Sequence, residues 1–197
     1  MQWSNAIVLA TWGVCAATGL AVMLDYELTP APTAAVALQC PRATQLSCDP
    51  VRPTLILFLH PHCPCSRATL RELDQLTAAC GEQFALRIVF VKPPGTAPGW
   101  EQTDLYRTAE AIPSAVVSSD LDGRDAARFG ATTSGEALLY AADGRLLFHG
   151  GITPSRGHEG DNLGRTILTS IITTGEAAGT ETAVFGCPLV HKANSER

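Results

Sequence analysis

The chain has 197 residues, a formal net charge of −5 at neutral pH, and a composition that is 46% hydrophobic and 17% charged. This length suits one domain with short appendages, and the composition excludes a largely disordered chain, which would be poor in apolar residues and rich in charge. Because no block of Lys and Arg occurs, the sequence also argues against nucleic acid as the main partner.

The N-terminal segment is apolar enough to be a membrane anchor. No side chain from Met1 to Leu24 is charged, and only Thr and Gly interrupt the apolar run from Ala6 to Leu24. A helix of that length, at about 1.5 Å per residue, just crosses a hydrocarbon core of about 30 Å. The run exceeds the apolar part of a typical signal peptide and has no basic residue before it. The sequence therefore predicts a transmembrane anchor over 1–28. A signal peptide cleaved near Ala35-Val36-Ala37 and a buried core helix are the alternatives.

Residues 29–53 are rich in Pro and Ala, which predicts a linker between the anchor and the domain. The linker contains Cys40 and Cys48. In an oxidising compartment these two thiols would close a small disulfide loop, and in a reducing one they would stay free. We favour the loop on the compartment argument alone, because six of the seven cysteines follow the only long apolar run.

The segment 54–190 is predicted to be the globular domain, with a polar tail at 191–197. Thr54–Leu59 is a continuous apolar run typical of a central strand, and Leu86–Val91 is a second one. Between them, apolar residues recur at helical spacing from Arg67 to Cys80. A strand, a helix and a strand of these lengths form a right-handed βαβ unit with parallel strands.

An antiparallel hairpin is predicted in the second half of the domain. Glu136–Tyr140 and Arg145–His149 are apolar runs joined by a turn that ends in Asp143-Gly144, a dipeptide typical of tight hairpin turns. Shorter elements complete the domain: helices at 103–111, 123–129 and 165–173, and a short strand at 116–117.

The most informative motif is His60-Pro-His-Cys63-Pro-Cys65-Ser66, which lies between the first strand and the first helix of the domain. A cysteine at a strand-to-helix turn has a lowered pKa, because the helix N-terminus offers free N–H groups and a partial positive charge to the thiolate. Such a thiolate is a nucleophile toward disulfides and also a metal ligand. Packing alone is a poor explanation for Cys63 and Cys65, because structural cysteines tend to be buried and inert.

These residues resemble the thioredoxin-like superfamily, in particular the membrane-anchored TlpA-type redoxins and the RedB-like proteins near them. The usual family motif is an aromatic strand followed by W-C-x-x-C-R-x-x-x-x-E-L. Arg67 and Glu72-Leu73 match the end of that motif, which places Cys63 on the attacking cysteine and His62 on the usual Trp. The resemblance runs from Pro53 to Gly151, and it includes the hairpin. It implies an α/β thioredoxin-like fold, a central mixed sheet flanked by helices, behind an N-terminal transmembrane helix.

The chain departs from the family pattern at two positions. The second family cysteine falls on Ser66, while Cys65 stands one residue early, and a disulfide across C-x-C closes a very tight ring. The cis-proline of the family falls on Gly135. That proline flanks the active-site sulfur, so the resemblance implies that its loss leaves room for a metal or for a different partner.

Several other residues are candidates for the site. His60 and His62 are either polar turn residues or groups that stabilise the Cys63 thiolate, or that bind Cu(I) together with Cys63 and Cys65. Cys187, which follows the last helix, is either a resolving thiol that returns to the site or a structural or free thiol. Two further cysteines, Cys80 in the domain and Cys15 in the anchor, are predicted to be inert.

A glycine-rich polar loop contains Arg156, His158, Asp161 and Asn162. Its simplest interpretation is a solvated loop whose Asp and Asn cap the following helix. The alternative is a loop that faces the substrate, because polar residues on glycine-rich connections often carry function.

The resemblance implies a membrane-tethered thiol–disulfide oxidoreductase that acts on protein thiols or disulfides on the periplasmic, extracytoplasmic side, with no organic cofactor. A Cu(I)-binding metallochaperone of redoxin type, with Cys63, Cys65 and His62 as ligands, is the first alternative. A thiol peroxidase fits less well. Such an enzyme places Thr or Ser three residues before its cysteine, where Cys63 has His60 and Cys65 has His62.

Overall fold

The computed structural model describes residues 2–32, 34–42, 44–176 and 178–190, so the tail predicted at 191–197 lies outside the described residues. The helices are α1 (Gln2–Leu28), α2 (Cys65–Cys80), α3 (Asp104–Glu110), α4 (Arg124–Phe129) and α5 (Leu163–Thr174). The strands are β1 (Thr54–Leu59), β2 (Ala85–Lys92), β3 (Ala115–Leu121), β4 (Glu136–Tyr140) and β5 (Leu146–Gly150).

The five strands form one mixed sheet in the order β3-β2-β1-β4-β5. Strand β1 pairs in parallel with β2, and β2 with β3, whereas β4 runs antiparallel to both β1 and β5. The predicted βαβ unit and the predicted hairpin are both confirmed. They meet at β1, which lies in the centre of the sheet. The turn after β1 therefore lies at the C-terminal end of the central strand.

The sheet is covered on both faces, which explains why β1 is apolar at every position. One face of β1 packs under α2, α3 and α5, and the other packs with α4 and with residues from both ends of the domain. Every residue of β1 is buried. The sheet therefore gives the turn that follows β1 a rigid support.

Several elements extend beyond their predicted bounds. Helix α2 begins at Cys65, two residues before the predicted start at Arg67. Strand β3 covers Ala115–Leu121, although the sequence predicts only 116–117, because its polar second half hides the strand pattern. That half is held by the parallel register with β2, which pairs Ser118 with Val89 and Asp120 with Val91.

Helix α1 contains a segment, Asn5–Leu28, that is long and apolar enough to cross a membrane, and none of it is buried against the domain. A signal sequence near an N-terminus meets the same criteria of length and apolar composition. The helix ends against the domain, because its last carbonyl groups, those of Tyr26 and Glu27, accept hydrogen bonds from Arg156.

The segment predicted as a linker packs along the domain. Ala37 N donates to Phe129 O at 3.0 Å, the hydroxyl of Tyr140 donates to Ala37 O at 2.8 Å, and Leu46 is buried in the core. Cys40 and Cys48 are joined by a disulfide, as the sequence predicts for an oxidising compartment. This disulfide closes a loop beside the β4–β5 turn, where Cys40 N donates to Gly144 O.

Candidate functional site

The turn between β1 and α2 holds Cys63 just beyond the C-terminal end of the central strand. Its backbone N–H donates to His60 O at 3.1 Å, Pro64 is the N-cap of α2, and Cys65 is the first helical residue. Proline suits such a position because its fixed φ is ready for a helix and it lacks an N–H that would need a partner. Cys63 therefore lies just before the helix N-terminus, with its side chain turned inward and only 1% exposed.

A second cysteine comes to the same place from the far end of the chain. Cys187 Sγ lies 3.1 Å from Cys63 Sγ, although 124 positions separate the two residues. Cys187 belongs to the segment Phe185–Leu189, which we call the C-terminal segment. This segment runs antiparallel to residues 132–134: Ser134 N donates to Cys187 O at 2.8 Å, and Leu189 N donates to Thr132 O at 2.9 Å. The structure thus brings Cys63, Cys65 and Cys187 together.

The surroundings of Cys63 strongly favour its thiolate. The thiol of Cys65 has the largest effect, and with the thiol of Cys187 and the backbone N–H groups of both residues it lowers the pKa of Cys63 to about 4. Burial opposes this shift but does not overcome it. The structure therefore presents Cys63 as a buried thiolate whose negative charge is held by sulfur and nitrogen donors.

The two neighbouring thiols are shifted in the opposite direction. Donation to Cys63 raises the pKa of Cys65 most, with burial second. Burial, and then the hydrogen bond to Cys63, raises the pKa of Cys187 to about 11. The positive charge of Arg156 acts against both increases. At neutral pH, one proton-free sulfur is therefore flanked by two thiols.

Two buried serines, Ser66 and Ser134, hold the turn between β1 and α2 in place. Ser134 Oγ accepts from His60 N at 2.8 Å and lies 2.9 Å from Ser66 Oγ, and both serines are buried. Ser66, which occupies the position of the second family cysteine, therefore helps to hold the turn, and its hydroxyl also donates to His60 O at 3.2 Å. Nothing in the sequence motif identified Ser134, although it directly precedes Gly135.

Gly135 has a φ of +94° and donates from its N–H to Phe58 O at 2.8 Å. No cis peptide bond occurs in the described parts of the chain. The backbone of Gly135 could not accept proline without rearrangement, because the proline ring fixes φ near −65°. A Cβ atom at Gly135 would meet Thr69 Oγ1 at 3.2 Å and Phe185 O at 3.8 Å, and the sulfur next to Cys63 Sγ is that of Cys187.

The two histidines of the motif lie against Trp100, a residue that the sequence analysis did not single out. The rings of His60 and His62 have centroids 5.4 and 4.4 Å from the Trp100 ring, and His62 Nε2 lies 3.1 Å from Trp100 O. Within the residues that the structure describes, no group of three or more His, Cys, Asp or Glu side chains is arranged to hold a metal ion.

The glycine-rich loop caps α5 through one of its two predicted capping residues, and the prediction that the loop faces a substrate stays a prediction. Asn162 Oδ1 accepts from Arg165 N at 2.7 Å and so caps α5, while Asp161 is fully exposed. Arg156, by contrast, turns toward the site, where its Nη1 donates to Gly186 O at 2.6 Å. Cys80, at the far end of α2, is buried in the core as predicted, and burial raises its pKa.

Comparisons with known proteins identify the fold. No family model matches the chain, and no curated protein matches it. Two solved structures align over most of both chains. One is a hypothetical protein of Sinorhizobium meliloti 1021, with 19% identity, 80% of this chain and 97% of that chain covered, and a TM-score of 0.60. The other is an uncharacterized conserved protein of Geobacillus kaustophilus, with 16% identity, 86% and 94% covered, and a TM-score of 0.61.

A more distant match is a secreted Mycobacterium tuberculosis disulfide oxidoreductase homologous to E. coli DsbE, with 18% identity, 61% of this chain and 80% of that chain covered, and a TM-score of 0.43. In the present structure, a βαβ unit is joined to a β-hairpin, and a cysteine stands before the helix that follows the central strand. The chain therefore has a thioredoxin-like fold, with a central mixed sheet flanked by helices.

Proposed function

We propose that the protein is a thiol–disulfide oxidoreductase in which Cys63 is the attacking thiolate and Cys187 is the thiol that resolves the mixed disulfide. One observation carries this proposal: the buried thiolate of Cys63 has the sulfur of Cys187 only 3.1 Å away. A disulfide between these residues closes a long loop, whereas one between Cys63 and Cys65 would span a single intervening proline. Cys65 then acts mainly as a donor that stabilises the thiolate.

The exchange follows ordinary thiol–disulfide chemistry. The Cys63 thiolate attacks one sulfur of a substrate disulfide, a mixed disulfide forms, and the other substrate sulfur leaves as a thiolate that takes a proton from water. Cys187 loses its proton and attacks the Cys63 sulfur, which releases the second substrate thiolate. Two electrons have then passed from the protein to the substrate, and the reverse sequence oxidises a substrate dithiol.

We further propose that α1 tethers the domain to a membrane and that the domain lies outside the cytoplasm. The apolar segment Asn5–Leu28 supports the tether, and the disulfide between Cys40 and Cys48 supports an oxidising compartment. Fusions after Arg197 test the side. A reporter enzyme that is active only outside the cytoplasm should be active, whereas activity of a reporter that works only in the cytoplasm would contradict this topology.

The catalytic proposal is tested by disulfide reduction with the full chain in detergent micelles, with a small dithiol as the electron source. We expect Cys63→Ser to abolish the reduction of an insulin-like substrate. Cys187→Ser, reduced, freed of the dithiol and then mixed with the substrate, should stop at a mixed disulfide that mass spectrometry detects. Cys80→Ser is the matched control, because Cys80 lies in the core away from the site. Wild-type turnover by Cys63→Ser, or no turnover by the parent, would overturn the proposal.

A further inference from the structure

The attacking sulfur is closed to proteins in this structure. Cys63 is only 1% exposed, and the C-terminal segment (Phe185–Leu189) lies over it with Cys187 in contact. A polypeptide disulfide cannot reach Cys63 Sγ while this segment is in place. Any reaction with a protein substrate therefore requires the segment to leave.

The C-terminal segment is bound as a short strand added to a loop. Its main chain accepts a hydrogen bond from Ser134 N at Cys187 O and donates one from Leu189 N to Thr132 O, with Pro188 opposite Thr133. Pairing of this kind gives affinity through main-chain hydrogen bonds and leaves specificity to the side chains. Nothing in the pairing itself requires that the strand belong to the same chain.

The side chains of the segment fit their surroundings closely at two positions. A Cβ atom at Gly186 would lie 1.8 Å from Ser134 O, so only glycine fits before the cysteine. Leu189, two residues after the cysteine, is buried in the core beside Phe129. Between them, Pro188 is exposed and has no N–H, and the pairing uses none at that position.

We propose that the C-terminal segment occupies the binding seat of the substrate, and that the substrate is an extended cysteine-containing polypeptide that pairs with residues 132–134 in the same register. The seat takes glycine before the reactive cysteine and an apolar residue two positions after it, and it tolerates proline in between. This inference rests on the proposed function, because it describes which disulfides reach Cys63.

Because the substrate and the C-terminal segment bind to the same residues, the steps of the reaction follow a fixed order. The substrate displaces the C-terminal segment, pairs with residues 132–134 and forms a disulfide with Cys63, and its other sulfur leaves as a thiolate. Return of the segment displaces the substrate strand from residues 132–134, while the substrate cysteine stays bonded to Cys63. The Cys187 thiolate then attacks the Cys63 sulfur in line with its bond to the substrate sulfur. The internal disulfide forms and the substrate sulfur leaves on the opposite side as a thiolate, so resolution and product release are one event.

Peptides based on the chain's own segment test this register. The parent peptide is Phe-Gly-Cys-Pro-Leu-Val, with its cysteine in a mixed disulfide with thionitrobenzoate, and it is mixed with the reduced full chain in micelles. Release of thionitrobenzoate gives the rate, and mass spectrometry confirms the adduct on Cys63. We expect N-methylation of the Leu nitrogen, or Val in place of Gly, to slow the reaction at least ten-fold, and Ala in place of Pro to change it less than two-fold.

A variant of the protein tests the displacement. Gly186→Ala should push the C-terminal segment away from Ser134 and raise the rate with the parent peptide at least five-fold. Gly179→Ala is the matched control. Its new Cβ would meet only the flexible end of Ile167, at 3.3 Å, and we expect the wild-type rate. Melting curves of both variants report folding, and if Gly186→Ala does not fold, the peptide series still decides.

The outcomes separate the two proposals. Equal rates for all the peptides at Cys63, or an unchanged or lower rate for a folded Gly186→Ala, would overturn the shared seat and leave thiol–disulfide exchange standing. If Cys63 reacts with no peptide and with no small aromatic disulfide, so that neither an adduct on Cys63 nor a Cys63–Cys187 disulfide forms, the proposed function itself is overturned.

Discussion

Among single residues, the proposed thiol–disulfide exchange depends most on Cys63, whose sulfur is charged although it is buried. Burial alone would keep a thiol protonated, so the lowered pKa of Cys63 has to come from its donors. The donors belong to Cys65, which follows Cys63 after one proline, and to Cys187, which lies 124 positions further along the chain. The reactivity of Cys63 is therefore a property of three cysteines together.

Removal of the strongest donor should weaken this effect. We expect Cys63 in the reduced protein to titrate near pH 4, and we expect Cys65→Ala to raise its pKa, because the Cys65 thiol is the largest cause of the shift. The rate of alkylation of Cys63 as a function of pH, with the product located by mass spectrometry, measures both values. Cys80→Ala should leave the titration unchanged. Titration of wild-type Cys63 near 9, the ordinary value, would contradict this account.

The same shift predicts how stability depends on pH. A thiol with a pKa near 9 in the unfolded chain and about 4 in the folded one stabilises the fold fully above pH 9, and this contribution is lost as the pH falls toward 4. The free energy of unfolding of the reduced wild type, minus that of Cys63→Ala, should therefore rise by up to about 1.4 kcal/mol per pH unit between pH 5 and 8. Denaturant titrations of both proteins at pH 5 and pH 8 measure this difference. A difference that does not change with pH would contradict the lowered pKa of Cys63.

At the scale of elements, one buried carboxylate fixes the loop before α5. Glu72, on α2, is fully buried and accepts from Gly160 N at 2.7 Å, from Asn162 Nδ2 at 3.0 Å and from Arg165 Nη1 at 2.7 Å. A buried charge needs such partners, because desolvation without them is costly. The loop that carries Arg156 to the site is thus fastened to the helix that begins at the site.

The cap of α5 offers a test of this fastening. Asn162→Ala removes the acceptor for Arg165 N and a donor to Glu72, and we expect it to cost about 1–2 kcal/mol of unfolding free energy. Asn162→Ser keeps a capping hydroxyl and should lose less. Chemical denaturation of the two variants beside the wild type gives the comparison. Equal stability of all three would show that neither contact matters to the fold.

Much of the fold follows from local pattern, and the site follows from it only in part. The β1 run, the spacing of α2 and the Asp143-Gly144 turn predict their elements because period and turn chemistry are local signals. Contact between Cys63 and Cys187 is not local, since it depends on how residues 178–190 return along the domain. Ser134 and Trp100 escaped notice for the same reason, because their roles exist only after folding.

At the scale of the whole molecule, Arg156 connects the end of α1 to the C-terminal segment. Its guanidinium lies 4.9 Å from the centre of the Tyr26 ring and donates to both Tyr26 O and Gly186 O. Carbonyl groups at a helix C-terminus attract a cation, and the same charge opposes the rise that burial and the hydrogen bond to Cys63 cause in the pKa of Cys187. Helix α1 and the Cys187 thiol therefore share one positive charge.

Loss of that charge should slow the resolving step. We expect Arg156→Ala to raise the pKa of Cys187 further and to slow closure of the Cys63–Cys187 disulfide several-fold near pH 8, with Arg156→Lys between it and the wild type. Alkylation of Cys187 against pH and quenched time courses after addition of oxidised glutathione measure the two effects. Arg71→Ala, which breaks only an exposed pair with Glu159, is the control. Wild-type closure in Arg156→Ala would show that the charge plays no part.

The central claim is that Cys63 and Cys187 form the redox pair, and the most direct measurement is the disulfide map of the oxidised protein. The full chain, reduced at the site and then treated with a small disulfide oxidant, is digested at acid pH without reductant, and the cross-linked peptides are identified by mass spectrometry. The account predicts a peptide pair joining Cys63 to Cys187, beside the Cys40–Cys48 loop, with Cys65 and Cys80 still alkylatable after unfolding. A dominant disulfide between Cys63 and Cys65, with Cys187 free, would contradict it.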